Sequence, residues 1–336
     1  MRALILVAVL AVAACSGADE PGPIRIETES VPLYPETPER TDVGGLEYRG
    51  GLVLTSADER FGGLSAMEIE GERMLAISDS AYWLTAHLEF DGNGWLTGLS
   101  QTFYAPMLGP DGQHLTGDAA DAEGLAPLGN GAYAVSFERE HRISRYDIAP
   151  DWSGVAIAMP TPLPAPPGTD RLRENGGIES LAPVEGGYWA GIEYPIVEGR
   201  PHSIWHMQNG EEPEVVDHDA AEGFGITGLA TSEFGLLVLE RFYSRDIGNR
   251  IRITSHPDPV GSNPDHVTLS AYSTGWNVLA ELEPGMTIDN FEGISIGEVN
   301  GERRLFILSD DNYNPGQRTL LLSFALPGLL TEEYSE

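Results

Sequence analysis

Carboxylates recur at matched places along this chain. Five apolar runs end in an acidic residue, in Ser78-Asp79, Phe137-Glu138, Ile192-Glu193, Leu239-Glu240 and Ser309-Asp310. Three of the runs preceding them begin with one, in Glu123-Gly124-Leu125, Glu179-Ser180-Leu181 and Glu292-Gly293-Ile294. Scattered, these would be ordinary solvated turn ends. Brought together they could not all stay ionised, because two like charges 4 Å apart repel by about 4 kcal/mol at an effective dielectric of 20. Some must be protonated, or a cation must sit among them. Hard oxygen ligands, without thiols and with few well-placed imidazoles, select Ca2+ over zinc, with Mg2+ or Mn2+ as alternatives.

A repeat is what would bring them together. Anchors at Gly63, Gly124, Ser180, Gly228 and Gly293 are separated by 61, 56, 48 and 65 residues. Each unit holds two short strands joined by a turn rich in Gly, Asn or acid, such as Gly129-Asn130-Gly131 or Glu185-Gly186-Gly187. Further strands follow, for example residues 142–148 and 250–254. No stretch carries a long helical period with caps. Four short antiparallel strands in units of this length predict an all-β fold, a β-propeller. Five repeats are counted, although the folded length would also divide into six blades. Leu46 to Thr55 is expected to pair with Thr319 to Leu326 and close the ring. Equivalent residues of the innermost strands lie on one ring around the channel, so both sets of carboxylates should meet at one mouth.

The 336 residues carry 52 acidic side chains against 19 basic ones, a net charge of −33. That field repels nucleic-acid backbones, so no nucleic-acid partner is expected. Every basic residue is Arg, which removes Schiff-base chemistry and a P-loop lysine. The lone cysteine, Cys15, excludes an internal disulfide. It follows Arg2, an apolar run and Val12-Ala13-Ala14, a signal peptide over 1–14 that resembles the lipobox of bacterial lipoproteins. Cys15 would then be lipidated, and Ser16 after it favours the outer membrane, with the protein facing the periplasm. Residues 15–42, with Pro21, Pro23, Pro32, Pro35 and Pro38, read as a flexible tether, leaving 43–328 as the folded domain. The expected partners are a small-molecule substrate and, through the lipid alone, a membrane; a monomer suffices.

Six segments resemble a known family. They are Asp121-Ala122-Glu123-Gly124-Leu125, Phe137-Glu138-Arg139-Glu140-His141-Arg142-Ile143, Asn175-Gly176-Gly177-Ile178-Glu179, Leu239-Glu240-Arg241-Phe242, Asn290-Phe291-Glu292-Gly293-Ile294 and Ser309-Asp310-Asp311-Asn312-Tyr313. In order and composition they look like the bacterial "esterase-like activity of phytase" family, related to the calcium-dependent β-propeller phytases. The resemblance runs from about Gly62 to Leu326. It implies calcium held by carboxylates, Asp311 among them, and metal-dependent hydrolysis of a phosphoester or related ester. Phosphate also calls for donors, and Arg139, Arg142 and Arg241 lie beside the shared motifs with the bidentate fork that suits it. His141, between Glu138 and Arg142, is a candidate acid for the leaving group. Phytase propellers are rich in lysine at the phosphate site, and this chain has none, which argues against phytate as the substrate.

A serine nucleophile is not supported. Gly293-Ile294-Ser295-Ile296-Gly297 fits G-x-S-x-G, but it lies in a β repeat and no His follows His266. Two alternatives to the phytase-like hydrolase remain open: a non-catalytic binding propeller with a structural metal, and a lactonase-like hydrolase with one axial metal.

Overall fold

The computed structural model describes residues 19–233, 235–257 and 276–326. Five antiparallel sheets are arranged as the blades of a propeller, and within blades 1 to 4 each strand pairs with the next in sequence. Blade 1 is Leu64–Glu70, Arg73–Ser78, Tyr82–Phe90 and Leu96–Pro106; blade 2 is Ala122–Gly129, Ala132–Phe137, Arg142–Asp147 and Thr161–Leu163. Blade 3 is Ser180–Val184, Gly187–Gly191, His202–Gln208 and Glu214–His218; blade 4 is Gly225–Ser232, Gly235–Ser244, Gly248–His256 and Asn277–Leu282. Blade 5 joins Asn290–Val299, Glu302–Asp310 and Thr319–Ala325 to Leu46–Ser56 from the other end of the chain. Among the described residues the only helical turns are Gly117–Ala119 and Thr169–Arg171. Five blades of four strands thus replace the choice between five and six.

Closure occurs where the sequence placed it. Thr319–Ala325 runs antiparallel to Leu46–Ser56, with Leu320 opposite Val53 and Leu321 opposite Leu52. The first and last strands of the ring therefore share one sheet, and unfolding either opens it.

The apolar core lies between blades. Each blade is covered on both faces, so its middle strands read as continuous apolar runs rather than alternating ones. Leu305, Phe306, Ile307 and Leu308 of blade 5 have no exposed surface. Their odd-numbered side chains pack towards Leu237, Leu239, Ile251 and Ile253 of blade 4. The even-numbered ones pack towards Met67, Ile69 and Met74 of blade 1.

The expected tether is folded from residue 19 onward. Gly22–Pro23 pairs with Phe103 and Tyr104 on the outer strand of blade 1, and Ile26–Ser30 pairs with Leu52–Ser56 of blade 5. Leu33 is fully buried and Tyr34 nearly so. Tyr48 donates its hydroxyl to the Val31 carbonyl. Prolines that suit a solvated tether also suit an outermost strand, whose outward edge needs no ladder donors. The segment is a clasp across blades 1 and 5. The signal peptide, Cys15 and the domain end at 328 lie outside the described residues.

Because Leu320 is fully buried in the closing strand, Leu320→Ala should destabilise the protein by about 2–5 kcal/mol through lost burial and a residual cavity. A thermal melt should register this as a drop of several degrees.

Candidate metal centre at the channel mouth

A bulge in the ladder sets which side chains reach the mouth. The register between the first two strands shifts between Leu64 and Ala66 in blade 1, between Ile226 and Gly228 in blade 4, and between Phe291 and Gly293 in blade 5. The extra residues are Ser65, Thr227 and Glu292. Blade 2 is irregular opposite Glu123 and Gly124, and in blade 3 Glu179 stands just ahead of the Ser180–Gly191 pair. A bulged residue is released from pairing and its side chain is re-aimed.

Beyond the bulge the second strands end at matched positions. Asp79 bonds back to Gly63 through its amide (2.8 Å), Glu138 to Asp121 (2.7 Å) and Glu193 to Gly177 (3.4 Å), while Asp310 pairs with Asn290. In blade 4 the residue at this position, paired with Gly225, is Arg241. Glu240 was expected here and is one residue short. Side chains alternate along a strand, so that single step turns Glu240 to the other face. It lies fully buried between blades 3 and 4, accepting from His218 Nε2 (3.1 Å), Thr254 Oγ1 (3.1 Å) and the Ala221 amide (3.3 Å). Burial alone would raise its pKa, but the His218 bond and the charges of His218 and Arg252 outweigh that and hold it below the usual range.

Seven of the expected ligand residues do converge: Asp79, Glu123, Glu138, Glu179, Glu193, Glu292 and Asp310. Burial pushes Asp79 to about 6, Glu292 to about 7 and Asp310 to about 9; Asp121 and Asp311 add to it at Asp79, Arg241 opposes it at Glu292, and Glu292 adds to it at Asp310. Burial, then neighbouring carboxylates, also raise Glu123 and Glu179 well above the usual range, Glu123 facing Glu179, Glu292, Asp121 and Glu138. Glu193 is raised by burial, which Arg241 opposes. Arg241 lies between Glu292 (2.6 Å) and Glu193 (3.2 Å) and also reaches the Asn290 amide oxygen. Burial would lower its pKa, but the carboxylates around it raise it and keep it charged.

Ligand oxygens of Asp121, Glu123 and Glu138 all lie within 4.8 Å of one another. Glu138 is held in place by glycine: one of its oxygens accepts the amides of Gly176 and Gly177 (2.9 Å for the latter). Gly176 has φ +142°, and a Cβ on Gly177 would come within 3.0 Å of Glu138 Cγ, so the Asn175-Gly176-Gly177 motif is a cradle for this side chain. Among the described residues no ion pair reaches Glu123, Glu138 or Glu179; Arg139 is taken by Asp121 and Asp118, and Arg241 by Glu193 and Glu292. A crowded all-oxygen donor set without counter-charge fits a hard divalent cation.

The remaining candidates are placed as follows. Asp311 serves the loop: its oxygens accept from the Gly63 amide (3.1 Å), the Tyr313 amide (3.1 Å) and Thr319 Oγ1 (3.0 Å). Arg142 stacks on Phe137 at 3.7 Å and donates to the carbonyls of Ala119 and Glu140. His141 packs beside Glu138, with Nε2 bonded to the Arg173 carbonyl (2.9 Å) and Nδ1 buried without a partner. Ser295 is buried and hydrogen-bonded to Glu68 (3.2 Å), as a structural serine would be. Asp121 and Asn290 were not singled out, although each opens a shared motif and stands two residues before a ring glutamate.

Fold and site together define a five-bladed β-propeller with an acidic channel mouth. The chain belongs to the phytase-like family described as esterase-like activity of phytase, whose model matches residues 59–313. No curated protein matches the chain. Among solved structures it is similar to RS223 β-xylosidase (12% identity, TM-score 0.43, covering 83% of this chain and 94% of that one). It is also similar to the allergen Mala s 1 of Malassezia sympodialis (12%, 0.39, covering 83% and 88%). A third is the Cps50 (Swd1) propeller domain of Myceliophteria thermophila (13%, 0.37, covering 91% and 90%). None of the three bears on the chemistry of the site.

Two outcomes follow. In metal-free buffer the raised carboxylates bind protons more tightly folded than unfolded. Their contribution is therefore full below about pH 4 and is lost as pH rises through about 6, 7 and 9 for Asp79, Glu292 and Asp310. Urea titrations in EDTA should show that decline. Arg241→Met removes the cation between Glu193 and Glu292 and should cost about 3 kcal/mol at pH 8, with the loss shrinking towards pH 5 as both carboxyls take up protons.

Proposed function

We propose that this chain is a metal-dependent hydrolase of a phosphoester or related ester, with Ca2+ at the channel mouth and Mg2+ or Mn2+ able to replace it. One observation carries the reading. Seven carboxylates from four of the five blades converge where, among the described residues, the arginines leave Glu123, Glu138 and Glu179 without an ion-pair partner. Those three, with Asp121 beside them, are the residues that would hold the ion. Once bound, it would supply Lewis-acid polarisation of the ester.

The chain's own groups supply the rest. Arg241, engaged by Glu193, Glu292 and Asn290 on the far side of the mouth, holds those carboxylates in place and away from the ion-holding set. Arg139, held on Asp121 and partly exposed, offers a donor at the rim. The Arg173 carbonyl assigns the neutral His141 proton to Nε2 and leaves Nδ1 as the lone-pair nitrogen. His141 can therefore take a proton at Nδ1 and return it to a leaving oxygen. Arg142, engaged by backbone carbonyls and Phe137, is assigned to supporting the loop before Asp121.

The N-terminal pattern supports a lipid anchor at Cys15, with the protein facing the periplasm from the outer membrane.

Thermal melts in EDTA and in Ca2+ test the metal. Saturation at 100 times Kd adds roughly 2.7 kcal/mol, a rise of a few degrees for a chain of this size, and Glu123→Gln should lose it. Hydrolysis of p-nitrophenyl esters or phosphoesters should require the ion and collapse in the same variant. A Ca2+ rise with no turnover of either class would make the protein a binding propeller instead.

A further inference from the structure

Beside the acidic ring, over blades 4 and 5, lies a cavity of about 880 Å³. Arg241 and Asn290 are in its lining, and through them it borders the acidic ring, where Arg241 pairs with Glu292 and Glu193. Its wall differs in chemistry from the ring. Tyr194 and Tyr243 stand on it with 40% and 66% of their surfaces exposed, and Asn249, Asn312, Asn314 and Gln317 supply side-chain amides. The carboxylate in the lining, Asp289, is paired with Arg318 at 3.2 Å. Arg241, the lining cation, is already shared among Glu193, Glu292 and Asn290.

That wall has no free charge to offer a polyanion. It offers what a polyhydroxylated molecule needs. An amide presents a donor and an acceptor side by side, matching neighbouring hydroxyls. An exposed phenol ring presents an apolar face and a polar edge, matching the C–H face and rim hydroxyls of a sugar ring. Three of the amides, Asn312, Asn314 and Gln317, stand on a loop whose shape is fixed before any ligand arrives, and Asn249 stands on a strand of blade 4. Asp310 accepts the Asn312 amide (2.7 Å), the Asp311 carbonyl accepts the Asn314 amide (2.7 Å), and Asn314 donates to the Gln317 side chain (3.2 Å). Asn312 and Tyr313 are both held at φ +49°, a costly backbone state kept by these bonds.

We propose that this cavity is the subsite for the alcohol portion of the ester, and that this portion is a neutral polyhydroxylated group, a sugar or cyclic polyol, rather than a polyphosphorylated one. The proposal rests on the hydrolase reading for the word ester, but the subsite binds its ligand whether or not the metal is present.

Saturation-transfer NMR on the full chain tests it, with glucose, myo-inositol and inositol hexakisphosphate as separate probes, each in EDTA and in Ca2+. Transfer to ring protons of glucose or myo-inositol is expected in both buffers, and which of the two responds separates a sugar from a cyclic polyol. Tyr243→Ala, at an exposed site that should fold normally, should weaken that binding about tenfold. Asn314→Ala should weaken it too, and both variants should keep any Ca2+-dependent rise in Tm. Sugar or inositol binding with no Ca2+ rise would sink the metal reading and leave the subsite standing. The proposal is overturned by absence of transfer to both neutral probes, by transfer unchanged in both variants, or by tighter binding of inositol hexakisphosphate.

Discussion

Mutual repulsion among carboxylates is the constraint on which the rest of this structure depends. Seven of them face one mouth, and the protein answers with Arg241, Arg139 and a set of pKa values pushed far above the ordinary range. Such an arrangement is unfavourable in isolation. It persists because the blades that carry it are locked by apolar packing on both faces and by a ring closed through its first and last strands. The core supplies the stability, and the mouth holds charge that a cation or protons can relieve.

Blade symmetry explains how so much charge comes to one place, and its breaking explains the site's polarity. A propeller sends the residue after each second strand to the same ring, so one acidic position repeated along the chain becomes a cluster. Blade 4 departs from the pattern twice: Thr227 replaces the bulge glutamate and Arg241 replaces the strand-end carboxylate. Blade 1 departs once, with Ser65 at the bulge. Arg241 is therefore on the side of blades 3 to 5, next to the amide-lined cavity, while Arg139 stays on Asp121 at blade 2 and the glutamates without an ion pair among the described residues are on the side of blades 2 and 3. The mouth has a side where glutamates lack ion pairs among the described residues and a side held by Arg241, rather than a uniform acidic rim.

The repeat, the propeller and the closing strands were legible because they are written in runs of buried residues, which one sequence displays directly. The carboxylates of blades 2, 3 and 5 were legible for the same reason, being tied to those runs. What was not legible is the bulge. One extra residue per hairpin changes which face every later side chain takes, and nothing in Leu239-Glu240-Arg241 announces that the ring position is Arg241. In blade 1 the apparent anchor Gly63 falls three residues before the true counterpart of Gly293, which is Ala66. The proline-rich segment before residue 42 was misread because composition reports solvation and chain stiffness, while its docking depends on two edges supplied by strands far away in sequence. Asp121 and Asn290 needed only a wider reading of motifs already noticed.

The claim that the acidic mouth is a divalent-cation site is tested most directly by seeing the ion. Crystals grown with Mn2+ and measured for anomalous scattering should show a peak bounded by carboxylate oxygens of Glu123, Glu138 and Glu179. A mouth without anomalous signal, its carboxylates paired through shared protons and arginine, would contradict the account.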